Sequence, residues 1–310
     1  MSLLSVIVPC WNEEEAIPFF YEEFSRVRKL FGERFPNISF ELLFVDDGSS
    51  DQSLKKIKEL KEKDSAVRYV TFSRNFGKDA ALFAGLDNAK GDYVVCMDAD
   101  LQDPPSLLPE MFEAVYSGGY DSAATRRVTR KGEPPVRSFF ARLFYKLMNH
   151  ISTTEIVDGA RDYRIMTRQM VDAILSMKEY NRFTKGIYGW IGFKTKWIEF
   201  ENVERVAGET KWSFWKLFRY AMEGIVDFST VPLTLILWIG GVFSLLSGIS
   251  LIACLVLYVR EVLNSVPLIL SAIAFSFGLQ LFFLGIVAHY LANTYMEAKG
   301  RPLYIAKEIT

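Results

Sequence analysis

Two long stretches of this chain carry no formal charge. Asp, Glu, Lys and Arg are absent from Phe228 to Val259 and again from Val262 to Met296. A hydrocarbon core about 30 Å thick is crossed by roughly 20 residues of helix rising about 1.5 Å each. Both stretches are long enough, so a fully soluble globule is nearly excluded; length disfavours the competing reading, a very apolar buried hairpin. The expected spans cover about 233–259 and 268–295, joined by the short turn Arg260–Pro267. Lys211, Lys216 and Arg219 precede the first span, and Lys299, Arg301 and Lys307 follow the second. The loop between carries only Arg260, offset by Glu261. This asymmetry predicts a multi-pass protein of the cytoplasmic (inner) membrane, with the N-terminal domain (1–227) and both termini in the cytoplasm and a membrane domain over 228–310.

With those stretches uncharged, the 24% of residues that are charged crowd into the first part of the chain. An aromatic content of 15% excludes disorder. Thirty-six Lys and Arg against 37 Asp and Glu leave no basic footprint for nucleic acid. Cys10, Cys96 and Cys254 lie far apart without metal-ligand spacing and read as reduced thiols. Met1–Pro9 lacks a basic segment and enters a strand directly, so no signal peptide is expected.

Short β-rich runs then alternate with helical ones. Strands are expected at Ser5–Pro9, Phe40–Val45, Val67–Phe72 and Asp92–Met97, with helices at Glu14–Phe31, Ser53–Lys63 and Lys78–Asn88. Continuous apolar strands separated by helices predict an α/β fold with a mostly parallel sheet covered on both faces. Such sheets bind ligands at the carboxyl ends of their strands, where the acids of Asp46-Asp47 and Asp98-Ala99-Asp100 fall. The region 126–227 is mixed. Within it, Arg137–Ile151 and Lys211–Ile225 are amphipathic, aromatic and basic. They fit either core-facing helices or helices lying in the bilayer interface; their pairing beside two spans favours the interface.

Carboxylates two apart at a strand end can converge on one hard cation, and Gln102 adds a neutral oxygen. Mg²⁺ or Mn²⁺ suits such a set because positions remain for phosphate oxygens and water. The alternative is a polar loop whose acids cap the helix that Pro104-Pro105 introduces. A second acid pair at a neighbouring strand end favours a nucleotide–metal site.

Six ordered motifs now carry a resemblance: PCWNE from Pro9, VDDGSSD from Val45, SRNFGK from Ser73, DADLQDPP from Asp98, RDYR from Arg161 and RVAGETK from Arg205. The chain resembles family 2 glycosyltransferases of the branch that charges polyprenyl phosphates, over nearly its whole length. The resemblance implies a GT-A-type nucleotide-sugar domain and a membrane-bound, inverting transfer of one sugar to a polyprenyl phosphate. Glucose or N-acetylglucosamine on a uridine nucleotide is the expected donor, for cell-envelope glycan modification; GDP-mannose or a modified pentose donor is the alternative.

By position in those motifs, Pro9, Trp11, Glu13, Asp46, Asp47, Gly77, Lys78 and Asp98 would hold the nucleotide. Asp98, Asp100 and Gln102 would hold the metal. Asp162 would be the catalytic carboxylate, with Arg205 and Lys211 binding phosphate; Arg126, Arg127 and Arg137 are candidates for the lipid phosphate. Trp11 stands where a tyrosine is common, and Thr210 replaces a serine while keeping the hydroxyl. Neither histidine falls in a motif, so no His acid–base step is expected. A phosphomonoester acceptor, with a second pKa of about 6, is largely anionic at neutral pH and needs little base assistance. An inactive scaffold, a nucleotidyltransferase and a processive synthase are the competing readings. The intact acids, the two spans and the missing QxxRW signature argue against them in turn. Glycines such as Gly248, Gly278 and Gly285 could support packing between protomers.

Overall fold

The computed structural model describes residues 2–128, 157, 159–200 and 266–310. The chain divides into two compact units, Met1–Gly224 with Pro302–Thr310, and Ile225–Arg301. The expected interface helices, the first span, Arg137, Arg205 and Lys211 all lie outside the described residues.

In the first unit, strands β1 (Ser2–Cys10), β2 (Ile38–Asp46), β3 (Val67–Phe72) and β4 (Tyr93–Cys96) alternate with helices α1 (Ala16–Arg34), α2 (Ser53–Lys63) and α3 (Lys78–Asn88). A 3₁₀ turn (Pro105–Leu107) and α4 (Leu108–Tyr116) lead to β5 (Ser122–Arg127). β6 (Ala160–Thr167), α5 (Arg168–Ser176), α6 (Thr184–Trp190) and β7 (Thr195–Phe200) follow, and β8 (Ala306–Ile309) closes the unit. The strands form one sheet in the order β7-β5-β6-β4-β1-β2-β3-β8. β1 pairs parallel with both β2 and β4, and β2 with β3, so the central sheet is parallel as expected.

Side chains alternate across β1. Leu4, Val6 and Val8 join the cluster that contains Phe20, Phe24 and Phe31 of α1, spaced to share one helix face. Phe31 meets Phe40 and Phe112 edge-on, with ring centroids 5.0 Å apart in each pair. On the opposite face, a Cβ at Gly85 of α3 would overlap the Ile7 side chain, so the helix lies directly on the strand. Because the chain winds from β1 outward to β3 and then returns to place β4 on the other side of β1, the sheet has a switch point between β1 and β4. Their carboxyl ends diverge there and leave a crevice.

The C-terminal residues, expected only as a short tail, are part of this sheet. β8 runs antiparallel to β3, and the Ser73 amide donates to the Ile305 carbonyl at 3.0 Å. Just before it, the Tyr304 ring stacks on Phe72 at 5.0 Å and its hydroxyl donates to Asp87 Oδ2 at 2.9 Å. These contacts cover an otherwise open sheet edge and hold the start of the loop Ser73–Gly77. Tyr304→Ala is expected to cost about 2 kcal/mol, seen as a fall in Tm of roughly 4–8 °C. An unchanged melting curve would show that the edge holds without this ring.

In the second unit, α7 (Val266–Ala298) is one continuous helix of 33 residues. It covers the second expected span. Among the described residues, no helix is long and apolar enough to cross a membrane.

Candidate active site

The crevice at the switch point is a cavity of about 590 Å³. Its floor is built by stitching the first two motifs together. Ser49 Oγ accepts the Asn12 amide at 2.9 Å, Asn12 Oδ1 accepts the Ser50 amide at 2.8 Å, and Ser53 Oγ accepts the Glu13 amide at 2.8 Å. Gly48 sits at φ +63°, where a Cβ would overlap the Arg74 backbone. This lets the turn after β2 approach the loop after β3. Asp46 is buried beneath, where it accepts the Ser49 amide (3.1 Å) and the Thr71 hydroxyl (2.7 Å). It supports the turn and is not a wall residue.

Asp47 does line the cavity, and it shapes the loop that leads into α3. Its carboxylate accepts the Phe76 amide at 2.6 Å, the Gly77 amide at 2.9 Å and the Asn75 side-chain amide at 2.9 Å. Burial outweighs those donors and raises its pKa to about 6. A folded-state value above the unfolded one means that the folded chain binds this proton more tightly. The associated stability is complete below pH ~4 and is lost as pH rises through 6. Measured against Asp47→Asn, the protein is expected to lose up to roughly 3 kcal/mol between pH ~4 and ~6. Melting curves across that range test this, and a pH-independent difference would exclude it.

The central feature is Lys78, the first residue of α3. Its ammonium lies 2.8 Å from Asp98 Oδ2 and 2.7 Å from Asp162 Oδ2. One cation thus joins the end of β4 to the start of β6, residues far apart in sequence. Burial alone would raise the Asp162 pKa; the Lys78 charge and then Lys185 overcome it and hold the carboxyl well below the usual range. Lys78 is itself held protonated, because the two carboxylates outweigh the penalty of burial. Asp162 does not pair with its motif neighbours. Arg161 Nε instead donates to Asp103 at 2.9 Å, and Arg164 Nη1 donates to the hydroxyls of Ser122 and Thr195.

Pro9, Trp11, Glu13, Gly77, Asp98 and Asp100 line the same cavity. Gln102 is not among its wall residues; its backbone amide donates to Asp100 Oδ1 at 3.1 Å. Arg126 forms an ion pair with Glu199 at 3.7 Å, and the Arg127 amide donates to the Gly159 carbonyl at 3.0 Å. The structure adds wall residues that no motif marked, among them Asp79, Arg182 and Leu303. Asp79 is tied to the Thr184 hydroxyl of α6, and Arg182 lies over the Phe83 ring at 4.6 Å. The cation in Tyr180-Asn181-Arg182 was visible in the sequence, but nothing local to it indicates a cavity.

Among the described residues, no three His, Cys, Asp or Glu side chains converge to hold a metal ion. Two carboxylates with room for phosphate oxygens and water nevertheless suit a hard divalent cation. The wall acids Glu13, Asp47, Asp79, Asp98 and Asp100 outnumber the cations Arg74, Lys78 and Arg182. The cavity is therefore net acidic, and a polyanion would enter it more readily with a divalent counter-ion.

A crevice at the switch point of a mostly parallel sheet, with acids at the strand ends, defines an α/β protein whose ligand site lies at the carboxyl ends of its strands. The chain belongs to glycosyl transferase family 2, whose profile matches residues 5–175, and it is a glycosyltransferase. A prophage bactoprenol glucosyl transferase homolog of Escherichia coli (strain K12) is 39% identical over 99% of this chain and 99% of its own length. The bactoprenol glucosyl transferase of Shigella phage SfII is 39% identical, covering 98% of this chain and 97% of that one. The glycosyltransferase-family protein CsbB of Bacillus subtilis (strain 168) is 42% identical over 99% of this chain and 92% of its length. Solved structures match more loosely. Glucosyl-3-phosphoglycerate synthase from Mycobacterium tuberculosis is 19% identical, with a TM-score of 0.47 over 73% of this chain and 78% of that one.

Proposed function

We propose that this glycosyltransferase moves one sugar, glucose in the first instance, from a uridine diphosphate donor to a polyprenyl phosphate, with inversion at the anomeric carbon. The observation that carries the reading is the Lys78 bridge, which brings the donor-side Asp98 and the Asp162 carboxylate against one ammonium. Near-full-length identity to proteins named bactoprenol glucosyl transferases supports the acceptor and the sugar.

The nucleotide enters over Trp11 and the Asp47 loop, with its diphosphate towards Asp98 and Asp100. A divalent cation held by those carboxylates would offset charge developing on the leaving diphosphate. Lys78, anchored between two acids, faces the same charge. An acceptor phosphate oxygen forms the new bond to the anomeric carbon as the bond to the nucleotide diphosphate breaks on the opposite side. Asp162, held ionised, orients the acceptor and the surrounding cations. The two apolar segments would hold the enzyme in the cytoplasmic membrane, where the lipid phosphate meets a soluble donor.

A donor panel tests this. Purified full-length chain in lipid nanodiscs would be given undecaprenyl phosphate, Mg²⁺ or Mn²⁺, and UDP-glucose, UDP-N-acetylglucosamine or GDP-mannose. A lipid carrying a single glucose is expected. Long polymer, a soluble sugar phosphate as the sole product, or nucleotide binding without transfer from any donor would each refute the assignment. Recovery of the chain from membranes washed with salt or carbonate tests its integral placement.

A further inference from the structure

A second, smaller cavity of about 260 Å³ opens beside β6 and α6. We propose that it seats a phosphomonoester carrying a hydrocarbon tail, with Lys185 and Arg164 as its anion ligands. The inference rests on the transfer reaction proposed above and deepens it by giving the acceptor phosphate its own subsite.

The charge of this cavity is one-sided. Arg161, Arg164 and Lys185 are its only charged lining residues among those described. Arg161 is already engaged by Asp103. Arg164 is 3% exposed, lies under the rings of Tyr188 (4.4 Å) and Trp197 (5.3 Å), and donates only to two neutral hydroxyls. Its Nε has no hydrogen-bond partner. Lys185 donates to the Ala160 carbonyl at 3.0 Å. Neither Arg164 nor Lys185 pairs with a carboxylate among the described residues. Asp162 acts on both only at longer range, so Arg164 keeps a buried Nε with no partner, and an anion entering beside Lys185 would give it one. Tyr188, Phe193 and Trp197 add aromatic wall, which favours a phosphate with an apolar substituent over a free ion.

Its position also fits the chemistry. Ala160, Asp162 and Arg164 alternate along β6 and share one face of the sheet. Asp162 touches Lys78, a wall residue of the larger cavity, and is also influenced by the Lys185 charge. It therefore stands between a donor cavity rich in acids and a smaller cavity rich in cations. Ala160 pairs with Arg126 across β5 and β6, so that arginine borders the same face while holding Glu199. The primary phosphate ligands are thus Lys185 and Arg164, ahead of Arg126 and Arg127. From this seat an acceptor oxygen attacks the anomeric carbon, and the electron pair of the broken bond leaves with the nucleotide diphosphate; no redox partner is required.

The test uses the full chain in detergent micelles and calorimetric titration with farnesyl phosphate, farnesol, inorganic phosphate and UDP. Farnesyl phosphate is expected to bind more tightly than inorganic phosphate, and farnesol not to bind. Lys185→Gln is expected to weaken farnesyl phosphate by about ten- to a hundred-fold, the loss of one charged hydrogen bond, while UDP affinity stays within about two-fold. Arg164→Lys, checked for an unchanged fold by its melting curve, should weaken farnesyl phosphate in the same direction. Unchanged farnesyl phosphate affinity in folded Lys185→Gln overturns the subsite, as does a loss of UDP affinity instead. If only inorganic phosphate binds, and Lys185→Gln removes it, the anion seat stands and the lipid acceptor falls.

Discussion

Replacing Asp162 with Asn should lower turnover by about 10²- to 10⁴-fold, the range for losing a positioned catalytic carboxylate, with UDP affinity nearly unchanged. The substitution keeps the shape and removes the charge. Lys78 would then answer only to Asp98, and the group between the two cavities could no longer orient an anionic acceptor and its cations. Because the folded-state pKa of Asp162 is depressed, its stabilising charge is present above the unfolded value. It is lost only as pH falls through the depressed value, so Asp162 should add no acid limb to activity between pH ~5 and ~8. Single-turnover rates and UDP titrations on the same preparation separate the outcomes. Unchanged turnover would remove Asp162 from the mechanism, and a parallel loss of UDP affinity would make it a donor-site residue.

Asp98→Asn, or chelation of divalent ions, should reduce transfer by about 10²- to 10³-fold or more, the scale for removing one preorganised charge at a leaving group. Here nucleotide affinity should fall as well. Carboxylates outnumber cations around the cavity, so a diphosphate without a divalent counter-ion meets net repulsion. Calorimetry of UDP with EDTA, and then with Mg²⁺ or Mn²⁺ restored, reads this independently of turnover. Full-rate transfer in EDTA would eliminate the metal. If Asp98→Asn instead retained ion-dependent binding, the ion would be assigned to Asp100 and other groups.

The two carboxylates thus differ in what their loss should do, although both contact Lys78. Loss of Asp98 should weaken donor binding and transfer together; loss of Asp162 should separate them. The difference follows from position. Asp98 follows a parallel strand and lines the larger cavity, whereas Asp162 lies on the antiparallel neighbour and meets that cavity through Lys78.

Local pattern carried much of this protein. The helices Ser53–Lys63 and Lys78–Asn88 and the strand Val67–Phe72 have the bounds their apolar spacing predicts. The acids of the two turns fall at strand ends because buried runs stop there. Those features depend on neighbours a few residues away, and periodicity records them directly. Most residues of the larger cavity's wall also fall in the sequence motifs.

Sheet order was decided only in three dimensions. Nothing local to Ala306–Ile309 shows that it returns to the edge of β3, carrying Leu303 into the cavity wall. The partners of RDYR were likewise hidden: Asp162 could have paired with Arg161 or Arg164, and tertiary packing gives it Lys78 and gives Arg161 to Asp103. Arg164 and Lys185 look unremarkable until β6 and α6 bring them to one cavity with neither in an ion pair. Charge pairing across a sheet depends on which strands are neighbours, and that order follows from burying every apolar face at once.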